Sequence, residues 1–195
     1  MHRHGTHLVK AALKAAYYVG ADGILAPYTR GQGVIFMLHH VVPDPPRDFE
    51  PNRILKVTPS FLDSVISQIK AAGFETISLD DVETRLSPGY RGPPFACFTL
   101  DDGYKDNAEF AYPVFKRHNV PFTVYVPTGY PDGHGDLWWL VLETVIGLAP
   151  RLTVQMDGTV HRLPAATVGE KDSANQHGWH LREWWTSFSS TRRRR

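Results

Sequence analysis

The run FACFTL (95–100) is apolar at every position but Thr99, and Asp101-Asp102-Gly103 follows it at once. A short run with no polar alternation fits a strand covered on both faces, and such strands belong to sheets flanked by helices. GVIFMLHHVV (33–42) has the same character, and FETISL (74–79) and PFTVYV (121–126) also read as strands. Helical stretches lie between them. TPSFLDSVISQIKAAGF (58–74) takes Thr58 as N-cap, Pro59 as first helical residue and Gly73 as its stop. Phe61, Leu62, Val65, Ile66 and Ile69 would form its inner face. DDVETRL (80–86) predicts a short helix capped by Asp80, and another helix is expected over 107–118. Strand, helix, strand, helix at this spacing predicts right-handed βαβ units and a parallel sheet, an α/β fold.

Further along, DLWWLVLETVIGLA (136–149) is a strongly apolar helix. RLTVQMDGTVHRL (151–163) reads as a β-hairpin turning at Asp157-Gly158. A helical stretch over 167–185 precedes SFSSTRRRR, a basic tail that cannot bury apolar surface and is expected to be disordered. The expected organisation is an N-terminal helix and linker (1–30), the α/β portion (31–150), a hairpin-plus-helix insertion (151–187) and the tail (188–195). There is no internal repeat.

At 195 residues the chain is long enough for one domain with a sizeable core. Its 42% hydrophobic and 21% charged residues are those of a globular protein rather than a disordered one. A net charge of +1 gives no global reason to expect nucleic acid as a partner. No run reaches the roughly 18 apolar residues of a membrane span. The one cysteine, Cys97, falls inside FACFTL, so it reads as core filler rather than nucleophile.

In the N-terminal stretch MHRHGTHLVKAALKAAYYVG, Lys10 and Lys14 interrupt any would-be signal-peptide centre, and no Ala-x-Ala cleavage site follows. A cytoplasmic location is the expectation. Leu8, Val9, Ala12, Leu13, Ala16 and Tyr17 recur at helical spacing, which predicts an amphipathic helix packed on the domain. Peripheral membrane association is the alternative for that face.

In α/β sheets, ligands bind beyond the carboxyl ends of the strands. Asp101 and Asp102 fall there, and a pair of carboxylates can divide the work, one holding a metal and the other acting as base. Asp102 could instead cap the following turn. His39-His40 occupy the corresponding end of 33–42, and since adjacent strand residues alternate faces, at most one need point into a site.

FTLDDGYKDN resembles the first motif of the polysaccharide deacetylases (carbohydrate esterase family four, the NodB-homology domain), with Leu100 in place of the usual Phe. FMLHHVVPD is similar to the segment that opens many members, and TPSFLDSVISQIKAAGFETISLDDV looks like the helix and strand that follow it. The resemblance spans about residues 30 to 145, and it implies a distorted, partial (β/α) barrel, incomplete at its C-terminal side. It also implies Asp101 as general base, Asp102 as a ligand of a divalent metal, commonly zinc, and His39 as the acid that protonates the leaving amine. The implied substrate is an N-acetylated amino-sugar oligomer or polymer such as a chito-oligosaccharide.

The resemblance is incomplete. A catalytic zinc takes three protein ligands, and the family draws two of them from a His-x-x-x-His motif that does not follow Asp102 here. The near miss is His177 and His180 in HGWH. The later family motifs, which supply an arginine, an acetate pocket and another histidine, are absent too, so a truncated or frame-shifted member is expected. Two other readings stand beside it: a catalytically inactive module that binds carbohydrate or a partner, and a magnesium-dependent phosphoryl-transfer site. The latter would need a second strand-end Asp and a downstream Lys that do not stand out.

Overall fold

A computed structural model describes residues 3–21, 23–24, 31–133, 135, 137–156 and 159–180. The basic tail, the Asp157-Gly158 turn and the far end of the last expected helix lie outside them, as do the side chains of 3–8, Met156 and 177–180. In chain order the elements are α1 (Arg3–Tyr18), β1 (Gly33–Leu38), β2 (His40–Val41), β3 (Lys56–Val57), α2 (Pro59–Ala71), β4 (Glu75–Thr76), α3 (Val82–Leu86) and β5 (Phe95–Asp101). A π-helical turn (Asn107–Ala111), α4 (Tyr112–His118), β6 (Thr123–Tyr125), α5 (Trp138–Leu148), β7 (Arg151–Met156), β8 (Thr159–Pro164) and α6 (Val168–His180) complete the series. The fold is α/β.

One sheet has the order β1-β5-β4, with β6 also pairing β5. β4 and β5 are parallel, Glu75 opposite Phe95 and Thr76 opposite Ala96. At the start of β1 and β5 the Phe95 amide donates to the Gln32 carbonyl at 3.1 Å. β5 occupies the centre for the reason its sequence gives: Phe95 to Leu100 are all buried. β7 and β8 pair only with each other, antiparallel, as a separate two-stranded sheet.

The chain divides into two compact units. The first comprises Met1–Met37, Asp63–Thr99 and Phe115–Thr123. Its core stacks Phe36 on Phe98, sets Phe98 edge-on to Phe115 and stacks Phe115 on Phe122. Ile77, Phe95 and Cys97 form a cluster flanked by Leu79 and Val82. Burial of Cys97 pushes its thiol above the ordinary range, in keeping with core filler. The second unit comprises Leu38–Leu62, Leu100–Val114 and Val124–Arg195, and buries Val41, Leu62, Leu100, Ala111, Val114 and Ile146.

Local signals explain several boundaries. The Thr58 hydroxyl accepts the Phe61 amide at 3.1 Å, and Gly73 ends α2 with φ 82°. Thr167 and Glu170 form a reciprocal cap at the start of α6: the Glu170 carboxylate accepts the Thr167 amide at 2.9 Å, and the Thr167 hydroxyl accepts the Glu170 amide at 3.3 Å.

Four local expectations are corrected. The 33–42 strand breaks at His39, and its second piece pairs with β3 in parallel, His40 opposite Lys56. FETISL keeps only Glu75 and Thr76 as strand, although the Ile77 amide still reaches the Ala96 carbonyl at 3.0 Å. Asp81, not Asp80, is the N-cap residue of α3, and its carboxylate accepts the Ser78 hydroxyl at 2.7 Å instead of capping. In α1, Val9, Leu13 and Tyr17 are 59%, 66% and 68% exposed, so this stripe does not pack against the domain.

Candidate functional site

The break in the 33–42 strand has a visible cause. Asn107 donates its side-chain amide to the His39 carbonyl at 2.8 Å, and Asp106 accepts the Val41 amide at 3.1 Å. Two side chains of the π-helical region thus take up backbone groups that a neighbouring strand would otherwise satisfy. The second Asp106 oxygen accepts from His40 Nδ1 at 2.7 Å. This fixes the tautomer of His40, with its proton on Nδ1. Asn107 also donates to Asp106 at 3.0 Å, which joins the two holds into one.

His39, at the break, sits with its Nε2 3.8 Å from Asp101 Oδ2. That separation is ion-pair range and longer than a hydrogen bond. Both side chains keep limited solvent access, 18% for His39 and 28% for Asp101. Reagents can reach them, yet the pair is not wholly water-screened.

Asp102 turns the chain away from the sheet. Its φ is 69° and that of Gly103 is 62°, so two successive residues are left-handed. Asp tolerates that region better than most residues, and Gly is indifferent to it. A Cβ on Gly103 would meet Val126 Cγ2 at 3.0 Å, a second reason for glycine. After this turn the Tyr104 hydroxyl donates to Asp102 Oδ2 at 3.0 Å and accepts from Trp139 Nε1 at 3.0 Å. The Tyr104 ring stacks on His40, centroids 3.7 Å apart. Burial pushes the Tyr104 phenol far above the usual tyrosine range; Trp139 opposes the rise, and the Asp102 carboxylate adds to it. Burial and the Asp102 charge raise Tyr130 as well.

One connected arrangement therefore joins His39, Asp101, Asp102, Tyr104, His40, Asp106 and Asn107. A cleft of about 340 Å³ opens beside it, with His40, Asp106, Arg53, Lys56, Glu50 and Leu140 in its wall. Lys56 pairs with Glu50 at 2.6 Å. Burial raises the Glu50 carboxyl, and the Lys56 bond and charge more than offset it, leaving Glu50 below its ordinary value.

The described residues do not assemble the expected metal site. Among the described residues no group of three or more His, Cys, Asp or Glu side chains is placed to hold a metal ion. Asp102 Oδ2 accepts from Tyr104 and His40 Nδ1 donates to Asp106, so any ligation would fall to the other carboxylate oxygen and the other ring nitrogen. His177 and His180 lie on α6, their side chains outside the described residues.

The sequence brought Asp101, Asp102 and His39 to attention, and the fold brings them together. Tyr104, Asp106 and Asn107 stood in the same quoted string without an assigned task. The position of the two polar residues, four and five after Asp102, was the available signal for a loop-fixing role. Trp139, inside an apolar helix, carried no signal.

No family model and no curated protein matches the chain. Solved structures of deacetylases do resemble it. A de-N-acetylase from Aggregatibacter actinomycetemcomitans is similar at 18% identity and a TM-score of 0.41, over 75% of this chain and 51% of that one. The deacetylase PplD from Streptococcus pyogenes, in complex with acetate, is similar at 24% identity and a TM-score of 0.40, over 52% of this chain and 44% of its own. The BpsB deacetylase domain from Bordetella bronchiseptica is similar at 19% identity and a TM-score of 0.36, over 74% of this chain and 50% of that one. The chain thus spans about half the length of these structures.

Proposed function

We propose that this chain is a polysaccharide-deacetylase-like protein that presents the acid–base pair for hydrolysing N-acetyl groups on an amino-sugar polymer. The observation that carries this reading is the approach of His39 to Asp101, 3.8 Å apart where two neighbouring strands end, with Asp102 next in the chain. Asp101 as carboxylate takes a proton from the attacking water, whose oxygen bonds to the acetamide carbonyl carbon. His39 in its protonated form gives its proton to the amine nitrogen as the carbon–nitrogen bond breaks. Acetate leaves with the water's oxygen, the sugar amine keeps the proton from His39, and solvent resets the two side chains.

On this reading 31–150 is the deacetylase portion, its parallel strands part of a (β/α) barrel with the site on the carboxyl rim. Residues 151–187 are an insertion. Asp102 is one donor toward a divalent metal, but a catalytic site takes three protein ligands and the described residues bring together no group of three. Turnover by this chain is therefore expected to be negligible. The same shortage favours a second reading, a module that holds the polymer without cleaving it.

Titration with an N-acetylated chito-oligosaccharide, followed by NMR at His39, tests both readings. Shifts of the His39 imidazole that Asp101→Ala weakens are expected. An oligosaccharide that leaves His39 unmoved overturns the assignment of this rim to an amino-sugar polymer.

A further inference from the structure

Helix α1 presents an apolar stripe that stays exposed among the described residues. Val9, Leu13 and Tyr17 stand four residues apart along the helix and are 59%, 66% and 68% exposed. Lys10 and Lys14 each follow a stripe residue, which places them about 100° around the helix and along one border of the stripe. On the opposite border Leu8, Ala12 and Ala16 are apolar and uncharged. From Met1 to Ala21 the sequence contains Arg3, Lys10 and Lys14 and no Asp or Glu. Tyr18 and Val19, at the end of the helix, are 83% and 76% exposed.

We propose that α1 is a docking helix for the surface of an anionic lipid bilayer. Two properties select that occupant over a protein groove. The large side chains Val9, Leu13 and Tyr17 form a single line along a helix of 16 residues, with Leu8 on its border in sequence, and suit shallow insertion lying flat in an interface. The bordering charge is of one sign, and an anionic headgroup layer meets Lys10 and Lys14 on that border. Tyr17 and Tyr18 supply rings with a polar tip, side chains at home at the level of the headgroups. The helix lies on the bilayer and does not cross it, since no helix among the described residues is long and apolar enough to span.

The test is flotation of the full chain with vesicles, which separates lipid binding from aggregation because aggregates do not float. Vesicles of phosphatidylglycerol mixed with phosphatidylcholine should carry the chain upward, and pure phosphatidylcholine vesicles should carry about tenfold less. Leu13→Glu should abolish flotation, and the double variant Lys10→Glu/Lys14→Glu should remove the preference for anionic vesicles. Raised salt should weaken binding of the unaltered chain. Equal binding to both vesicle types, undiminished flotation of Leu13→Glu, or no flotation at all overturns the proposal. So does a dimer in sedimentation velocity that Leu13→Glu dissociates while flotation persists, since the stripe would then serve a second copy.

Discussion

Asp106 and Asn107, at the start of the π-helical turn, hold much of the site in place. Each accepts or donates to backbone at the break after β1, and Asp106 also holds His40. Asp106→Ala would leave an imidazole N–H and the Val41 amide without their acceptor, and a loss of about 3 kcal/mol in urea denaturation is expected. Asn107→Ala, which releases only the His39 carbonyl and the link to Asp106, should cost about 1–2 kcal/mol. Equal stability of Asp106→Ala and the parent would mean that the strand break has another cause. Tyr104 offers a check at high pH. Its folded-state value is raised, first by burial and then by Asp102. The stability it contributes is therefore complete below the unfolded tyrosine value, about pH 10, and lost as pH rises from there toward the folded value. Parent and Tyr104→Phe should show parallel stability up to about pH 10 and converge above it. Convergence at neutral pH would contradict the shift.

Helix ends were the most legible elements, because a cap is a local contact between residues three apart. Thr58, Pro59 and Gly73 mark α2 in the sequence and in the fold alike. Thr58→Ala should lower thermal stability by about 1 kcal/mol, the usual worth of such a cap. Gly103→Ala should cost more, about 2 kcal/mol, because the positive φ and the approach of Val126 at 3.0 Å act together. A neutral Gly103→Ala would show that the turn after Asp102 is softer than drawn. The break at His39 was not legible. Nothing in GVIFMLHHVV interrupts an extended run, and its cause lies in two side chains 65 and more residues away. The reciprocal Thr167–Glu170 cap, by contrast, was written in TVGE and needed only the capping-box pattern to be read.

Among the described residues β1 is an edge strand of its sheet, and Ile35 and Met37 are 47% and 64% exposed. An edge with apolar side chains invites pairing with another chain. Concentration-dependent association in sedimentation velocity is expected, reduced by Ile35→Lys. The α/β class could be read from the buried runs and their spacing, since burial on both faces leaves a strong pattern. The site could be read only in part: carboxylates after a buried strand are visible in sequence, whereas the donors that complete or fail to complete a metal site depend on where distant segments lie. Among the described residues the donors fall short of a catalytic metal site, and zinc titration by calorimetry reads that shortage, with the full chain beside Asp102→Asn. The expected result is no tight one-to-one binding in either protein. A stoichiometric zinc site in the full chain that Asp102→Asn removes would contradict it.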